Sequence, residues 1–454
     1  MSWESRRVAI RSFTVIAIAL LAACSTHESL VAPAAPLSPA SSVRDAGQWS
    51  AHVFITFQEG PSGGEPDAGL TRDSAGNLYG TTVFGGNQSC QSYFDFGCGV
   101  VFKIDPSGTE SVVDAFPPPG GTDGRYPEAR VILDRNNNIY GTTPAGGNES
   151  CASGGSGGGC GTVFKIDRAG SESVLYSFNG GKDGESPDAG VARDSAGNLY
   201  GTTYRGGGSG CRDSFGDGCG VVYKLSEDGV ETVLHRFAGS DGGAPVADLL
   251  LDQAGNAYGT TEYGGTGHCN IGVRTGCGTL FEVRKNGKFS VLYNFSGMKD
   301  GASPQAGLLA DSAGNLYGTA YYGGDLTCKL REQAGCGVVF KLDKAGKETV
   351  LHTFEGGTDG ALPISNLVGD PAGNLYGTTT EGGNPNCPQP SLGGCGVVFK
   401  LDRHNRETML YSLTDSNDGE TPVAGVVRDP AGNLYGTSLI GIYNYGAAFE
   451  VSPK

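Results

Sequence analysis

The stretch Asp73-Ser74-Ala75-Gly76-Asn77-Leu78-Tyr79-Gly80-Thr81-Thr82 returns, lightly varied, with its tyrosine at Tyr140, Tyr200, Tyr258, Tyr317, Tyr376 and Tyr435. Successive tyrosines are 61, 60, 58, 59, 59 and 59 residues apart. A fixed period of this kind restricts a chain to repeat architectures, in which each unit buries its apolar face only against its neighbours. Length alone would suggest two or three domains, but seven copies spend almost all of the 454 residues on one array.

Repeat five shows the unit. Ala306 to Asp311 reads as a first strand, Asn315 to Thr319 as a second, Gly337 to Asp343 as a third and Glu348 to Phe354 as a fourth. Each is short, rich in β-branched or aromatic residues, and bounded by Gly, Asp or Asn. Asp-x-x-Gly-Asn between the first two reads as a tight turn with glycine at positive φ. In repeat two Asn137 takes that place, and asparagine is the other residue that tolerates it. Four antiparallel strands repeated seven times predict an all-β fold, a seven-bladed β-propeller. A right-handed β-helix is the alternative, with coils typically much shorter than this period.

Repeat seven ends at Ala447-Ala448-Phe449-Glu450-Val451-Ser452 with a third strand and no fourth. Upstream of repeat one, Val53-Phe54-Ile55-Thr56-Phe57 aligns with the fourth strand of repeat two, Val174-Leu175-Tyr176-Ser177-Phe178. The N-terminal strand is therefore expected to complete the last blade and close the ring, removing the edges of an open array.

Glycine contributes 78 residues, about twice the usual share of roughly 7%. At fixed repeat positions this suits tight turns and argues against long helices. A formal charge of −16 argues against a nucleic-acid partner, because phosphate binding needs a concentrated basic face. An acidic balance chiefly serves solubility, with cation binding a lesser option.

At the N-terminus, Arg6, Arg7 and Arg11 precede an apolar run from Phe13 to Leu21, followed by Leu21-Ala22-Ala23-Cys24. A basic start, a short apolar segment and small residues before a cleavage point describe a secretory signal over residues 1–23, too short to span a membrane. The ending resembles the lipobox of bacterial lipoproteins. That resemblance implies lipid on Cys24, membrane attachment through it, and, with Ser25 following, the outer membrane of a Gram-negative cell. An ordinary signal with a chance cysteine is the plainer reading. Residues 24–50 are rich in Pro, Ala and Ser and read as a flexible tether, leaving 51–454 for the propeller.

The other twelve cysteines fall at one place per repeat: Cys90/Cys98, Cys151/Cys160, Cys211/Cys219, Cys269/Cys277, Cys328/Cys336 and Cys387/Cys395. In an exported chain, such pairs read as disulfides at the base of the loop between strands two and three. Zinc would need four ligands, and no histidine accompanies each pair.

Loops two-to-three and four-to-one are expected on one face of the ring, with the short turns opposite. The stapled loops carry Tyr93, Phe94, Phe96, Arg212, Phe215, His268, Ile271, Arg274, Lys329 and Arg331, candidates for a glycan or protein ligand if they are not merely divergent. Asp-Gly-x-x-Pro enters the same face at Asp123, Asp183, Asp241, Asp300, Asp359 and Asp418. These carboxylates are candidates to ring the channel mouth and hold a cation such as calcium. The plainer role is a turn aspartate ahead of a rigid proline. The aspartates of Asp-x-x-Gly-Asn occur in every repeat and read as structural.

Gly154-Gly155-Ser156-Gly157-Gly158 matches Gly-x-Ser-x-Gly without the strand-to-helix setting of a hydrolase. His235 and His352 replace the tyrosine of strand four. With Gly-Asn-Leu-Tyr-Gly-Thr-Thr, Cys-Gly-Val-Val-Phe-Lys and Glu-Thr-Val-Leu in series, the chain resembles the GloVer tandem-repeat family of exported bacterial proteins over about residues 51 to 454. The resemblance implies export and supplies no catalytic residues. The expected function is a monomeric, lipid-anchored binding module. A propeller-type polysaccharide lyase or hydrolase and a structural surface scaffold are the alternatives.

Overall fold

The computed structural model describes residues 49–454 apart from 59, 88–89, 91–96, 119–121, 152–157, 209–210, 214–215, 272–273, 331–332, 388–392, 415–417 and 440–444. Each repeat forms one four-stranded antiparallel sheet, and there are seven. In blade 5 the strands are Leu309–Ala310, Leu316–Ala320, Val338–Leu342 and Glu348–Thr353, from channel to rim. The first is shorter than the sequence suggests. Pro304 has no N–H to give a ladder, and the Ala306 carbonyl is taken by the Thr260 hydroxyl of blade 4 at 3.0 Å. Ala306 to Leu308 thus line the channel and join blades instead of extending the sheet.

The second strand is buried on both faces in blade 1, Leu78 to Thr82, and its central glycine has a packing cause. In blade 5 a Cβ on Gly318 would lie 2.7 Å from Cζ of Phe340 on the third strand. Those third-strand rings form the inter-blade core. Phe295 packs against Phe340, and Phe354 against Phe399, with ring centres 5.1 and 5.2 Å apart.

Blades are also joined through their backbones. The residue before each proline (Glu65, Tyr126, Ser186, Ala244, Ser303, Leu362, Thr421) holds a φ between 50° and 60°. Such left-handed backbone costs energy for a residue with a side chain. In blades 2 to 7 it is held by an N–H donated to the carbonyl of the second cysteine of the preceding blade, as from Ser303 to Cys277 at 2.8 Å.

The ring closes as expected. Trp49–Thr56 pairs antiparallel with Ala447–Pro453, forming the rim strand of blade 7. It begins before the expected Val53. Phe57 stays in register beyond the strand, its N–H donating to the Gly446 carbonyl at 2.8 Å.

On the hairpin face, Asp73 accepts from the N–H groups of Ala75 and Asn77, the Asn77 amide and the Tyr79 hydroxyl. The aspartate, asparagine and tyrosine contacts recur in all seven blades, in the last as Asp429, Asn433 and Tyr435. Burial alone would raise the Asp73 carboxyl. The hydrogen bonds from Asn77, Ala75 and Tyr79 outweigh it and hold the group below its ordinary value.

Candidate functional site

Long loops of both kinds share one face, because they bond to each other. Gly207 donates its N–H to the Gly181 carbonyl at 2.5 Å, and Gly324 to Met298 at 2.7 Å. All six expected cysteine pairs are disulfides: Cys90–Cys98, Cys151–Cys160, Cys211–Cys219, Cys269–Cys277, Cys328–Cys336 and Cys387–Cys395.

The second cysteine stands at the base of the loop, as expected, and does more than anchor it. Cys98 and Cys219 are wholly buried and pack in the cores between blades. Their carbonyls accept the N–H of the next blade's residue before proline, from Tyr126 to Cys98 at 2.8 Å and from Ala244 to Cys219 at 3.0 Å. The cause is the glycine after each, Gly99 and Gly220, whose positive φ turns the chain from the staple directly into the third strand. The staple therefore ties the loop to the seam, and in blades 1 and 6 both of its cysteines are buried in the core there.

Between the staples of blades 3 to 5 the loop folds into a two-rung ladder, such as Lys329–Leu330 with Gln333–Ala334. Arg212, Ile271, Arg274 and Lys329 sit on such ladders, with side chains outside the described residues. His268 is exposed. Tyr93, Phe94, Phe96, Phe215, Arg331, Cys24 and the Gly154 to Gly157 part of the glycine motif lie outside the described residues.

The aspartates of Asp-Gly-x-x-Pro do not ring the channel mouth. They turn to the rim, where the preceding blade's outer strand meets them. The Tyr176 hydroxyl donates to Asp183 at 2.9 Å, the Tyr293 hydroxyl to Asp300 at 3.0 Å, and the Tyr411 hydroxyl to Asp418. His235 does the tyrosine's work, with Nε2 at 2.9 Å from Asp241, and His352 stands in the same place, 3.6 Å from Asp359 and beyond hydrogen-bond distance. Asp183, Asp300, Asp359 and Asp418 also accept a backbone N–H four residues upstream. The physical reason is that the upstream N–H and the outer-strand hydroxyl together draw the carboxylate back along its own chain and away from the axis. Asp123 belongs to the same rim, facing Asp114 and Glu172.

The channel mouth is built by the residues after each proline. A cavity of about 160 Å³ is lined there by all seven blades. Going round the ring, the residue next to the proline is Asp67, Glu128, Asp188, Val246, Gln305, Ile364 and Val423. At this position blades 1 to 3 therefore supply carboxylates, and blades 4, 6 and 7 supply apolar side chains, while Glu262 of blade 4 adds a carboxylate to the wall. Gln305 stands between, its amide donating to Glu262 at 3.2 Å and to the Ser303 hydroxyl at 2.8 Å.

Two residues further along, large and small alternate: Gly69, Arg130, Gly190, Asp248, Gly307, Asn366 and Gly425. Arg130 pairs with Asp248 at 3.2 Å, and the other oxygen of Asp248 accepts the Gly190 N–H at 2.8 Å. A Cβ on Gly190 would lie 2.6 Å from the Arg130 carbonyl. Side chains from even-numbered blades thus fill this level, and glycines in the odd ones make room. The cavity above is a cup with an ion-paired floor.

Around the cup lies a belt of buried charge and tyrosine. Arg125, 1% exposed, pairs with Glu149 at 2.7 Å and donates to the Gly158 carbonyl at 3.0 Å. The Arg205 guanidinium lies 5.1 Å from the Tyr204 ring, and Tyr321 packs on Tyr322. Glu185 and Glu420 approach the staples Cys151–Cys160 and Cys387–Cys395 of the preceding blades. With their sulfurs joined, these pairs offer no thiolates to a metal.

The sequence carried a signal for the cup that reading individual loops missed. In a strict repeat, an informative position is one that stops repeating, and the residue after the proline does so, ranging over Asp, Glu, Gln, Val and Ile.

A family model described as the Gloeobacter/Verrucomicrobia repeat matches residues 43–266, 149–389 and 267–454. No curated protein sequence matches the chain. Among solved structures, a gluconolactonase from Xanthomonas campestris is 14% identical with a TM-score of 0.37, over 64% of this chain and 79% of that one. A putative gluconolactonase is 12% identical with a TM-score of 0.37, over 74% and 89%. A luciferin-regenerating enzyme is 13% identical with a TM-score of 0.39, over 88% and 95%. At such low identity and superposition, they carry no argument about the activity of this chain. Matched from end to end of its repeats, the chain belongs to the Gloeobacter/Verrucomicrobia repeat family.

Proposed function

We propose that the protein is an exported recognition module, held to a membrane by lipid on Cys24, that binds the end of a glycan in the cup. One observation carries this reading: the residues after the prolines divide into a carboxylate arc (Asp67, Glu128, Asp188) and an apolar arc (Val246, Ile364, Val423) around Gln305, whose amide Glu262 of blade 4 holds. A sugar ring is amphipathic in the same sense, with hydroxyls at its edge and C–H groups on its face. Carboxylates and the Gln305 amide suit the first, and branched aliphatic side chains the second. The small volume admits one ring of a glycan end, leaving the stapled loops to meet the neighbouring sugars.

The test incubates the chain from Trp49 onward with bacterial and plant polysaccharides, scoring retention and released product together. Retention without product, weakened at least about ten-fold by Glu128→Ala or Gln305→Ala, supports the reading. Released product would instead favour a lyase or hydrolase. Retention unchanged in both variants would move the site to the stapled loops.

A further inference from the structure

The rim holds groups that neither the fold nor the cup requires. In five blades the outer strand opens with glutamate: Glu110, Glu172, Glu231, Glu348 and Glu407. Each pairs across the sheet with an isoleucine or leucine of the third strand, as Glu172 with Ile166 and Glu407 with Leu401. The side chains are half-buried, and in all five the Oε1 oxygen is shut off from solvent and accepts no hydrogen bond. An ionised carboxylate in that state is expensive, and a protonated one is not.

Four of the five also look across the seam at another carboxyl. Glu172 faces Asp114 on blade 1's outer strand and Asp123 on the connecting loop. Glu231 faces Asp183 and Arg236, with the Tyr176 and Tyr223 hydroxyls nearby. Glu348 faces Asp300 beside Tyr293, and Glu407 faces Asp359, which His352 approaches. The seam between blades 3 and 4 has another solution. Phe289 replaces the glutamate and stacks on His235, with ring centres 3.5 Å apart.

We propose that these seams are a proton-operated clamp: with the glutamates neutral the blades pack closely, and their ionisation loads like charge into four seams and loosens the ring. Burial first, then the facing aspartates, push Glu172 and Glu407 up to about 8 and Glu231 and Glu348 to about 7. For Glu110 burial alone raises the group to about 7. Between the ordinary value of 4.5 and these values, the folded chain holds protons the unfolded chain has lost. Stability from this source is complete below about pH 4.5 and is lost as pH rises through 7 to 8.

The test is the melting temperature of the full chain across pH 5 to 9, in wild type and in a variant carrying Glu172→Gln, Glu231→Gln, Glu348→Gln and Glu407→Gln. The wild type should lose at least about 5 °C from the acid to the alkaline end, and the variant should lose most of that slope. His235 and His352 are present in both chains, so their titration is common to the comparison. If the combined variant does not fold, Glu172→Gln and Glu407→Gln singly should each flatten the slope more than Glu110→Gln, which faces no partner carboxyl. Phe289→Glu should steepen it by creating a fifth loaded seam. A wild-type melting temperature that is flat or rises toward pH 9, or glutamine variants with the wild-type slope, would overturn the clamp.

Discussion

Blades 1 to 6 and blade 7 solve the same problem with different means. The six are continuous in sequence and carry a disulfide each; the seventh is assembled from both ends of the described chain and has none. Yet its seam with blade 1 repeats the contacts of the internal ones. The Thr437 hydroxyl donates to the Ala68 carbonyl at 2.9 Å, as Thr319 does to Ser365 at 3.2 Å. Tyr445 occupies the place of the second cysteine and accepts the Glu65 N–H at 2.7 Å, as Cys98 and Cys219 accept theirs. Phe57 packs on Phe102 with ring centres 5.2 Å apart, the separation found at Phe354 and Phe399. The seam thus uses the backbone at the cysteine position and does not need its sulfur. The difference separates two tasks: seam contacts close the ring, and the disulfide bonds order the loops on one face.

Removing the closing strand should break this equivalence most severely. Deleting Trp49 to Phe57 leaves the third strand of blade 7 as a bare edge and Phe102 without its partner. Loss of a cooperative thermal transition is expected by circular dichroism, and an unchanged melting temperature would mean that the strand does not close the ring.

Next in size are the glycines after the cysteine position. A Cβ on Gly446 would lie 2.5 Å from Cδ of Pro66, and one on Gly278 2.6 Å from Cδ of Pro304. Both glycines have positive φ. Gly446→Ala and Gly278→Ala should each cost about 2–4 kcal/mol in chemical denaturation. Agreement to within about 1 kcal/mol would show that the closure seam has the strength of an internal one.

Asp73→Ala should cost about 1–3 kcal/mol, because two backbone N–H groups, an amide and a hydroxyl lose their acceptor. The Asp73 carboxyl is held below its ordinary value when folded. Its contribution is present above the unfolded value of about 4 and fades as pH falls through the folded one. The variant should therefore lose least relative to wild type in strong acid.

Smallest should be the staples. Replacing Cys328 and Cys336 by serine opens a loop with a sequence separation of 8, worth at most about 2–3 kcal/mol. Proteolysis within that loop should change more than the melting temperature does.

Much of this was legible because repetition averages out ambiguity. Val53 to Phe57 could be placed as the missing rim strand only through its match to Val174 to Phe178, and the structure pairs it there. The cysteine pairs were legible for the same reason, although the burial of Cys98 and Cys219 in the seams was not, since spacing says nothing of what packs against a sulfur. The inner strand was read too long because its apolar pattern does not distinguish ladder bonding from bonds such as Thr260 to Ala306. For the Asp-Gly-x-x-Pro aspartates the sequence leaves a channel-mouth role open beside the plainer turn role, because a turn's position does not reveal its aim, which depends on partners such as Tyr176. The cup was missed because its residues are scattered about a repeat apart and ordinary one by one.

The closing strand also imposes an order in time. Trp49–Thr56 leads the described chain and pairs only with Ala447–Pro453 at its other end. Until that last strand arrives, the segment His-Val-Phe-Ile-Thr-Phe is an unpaired, apolar edge available to any other open strand. Six blades can assemble as they emerge, but the seventh must wait. The hazardous interval for this protein is therefore the one between its first strand and its last.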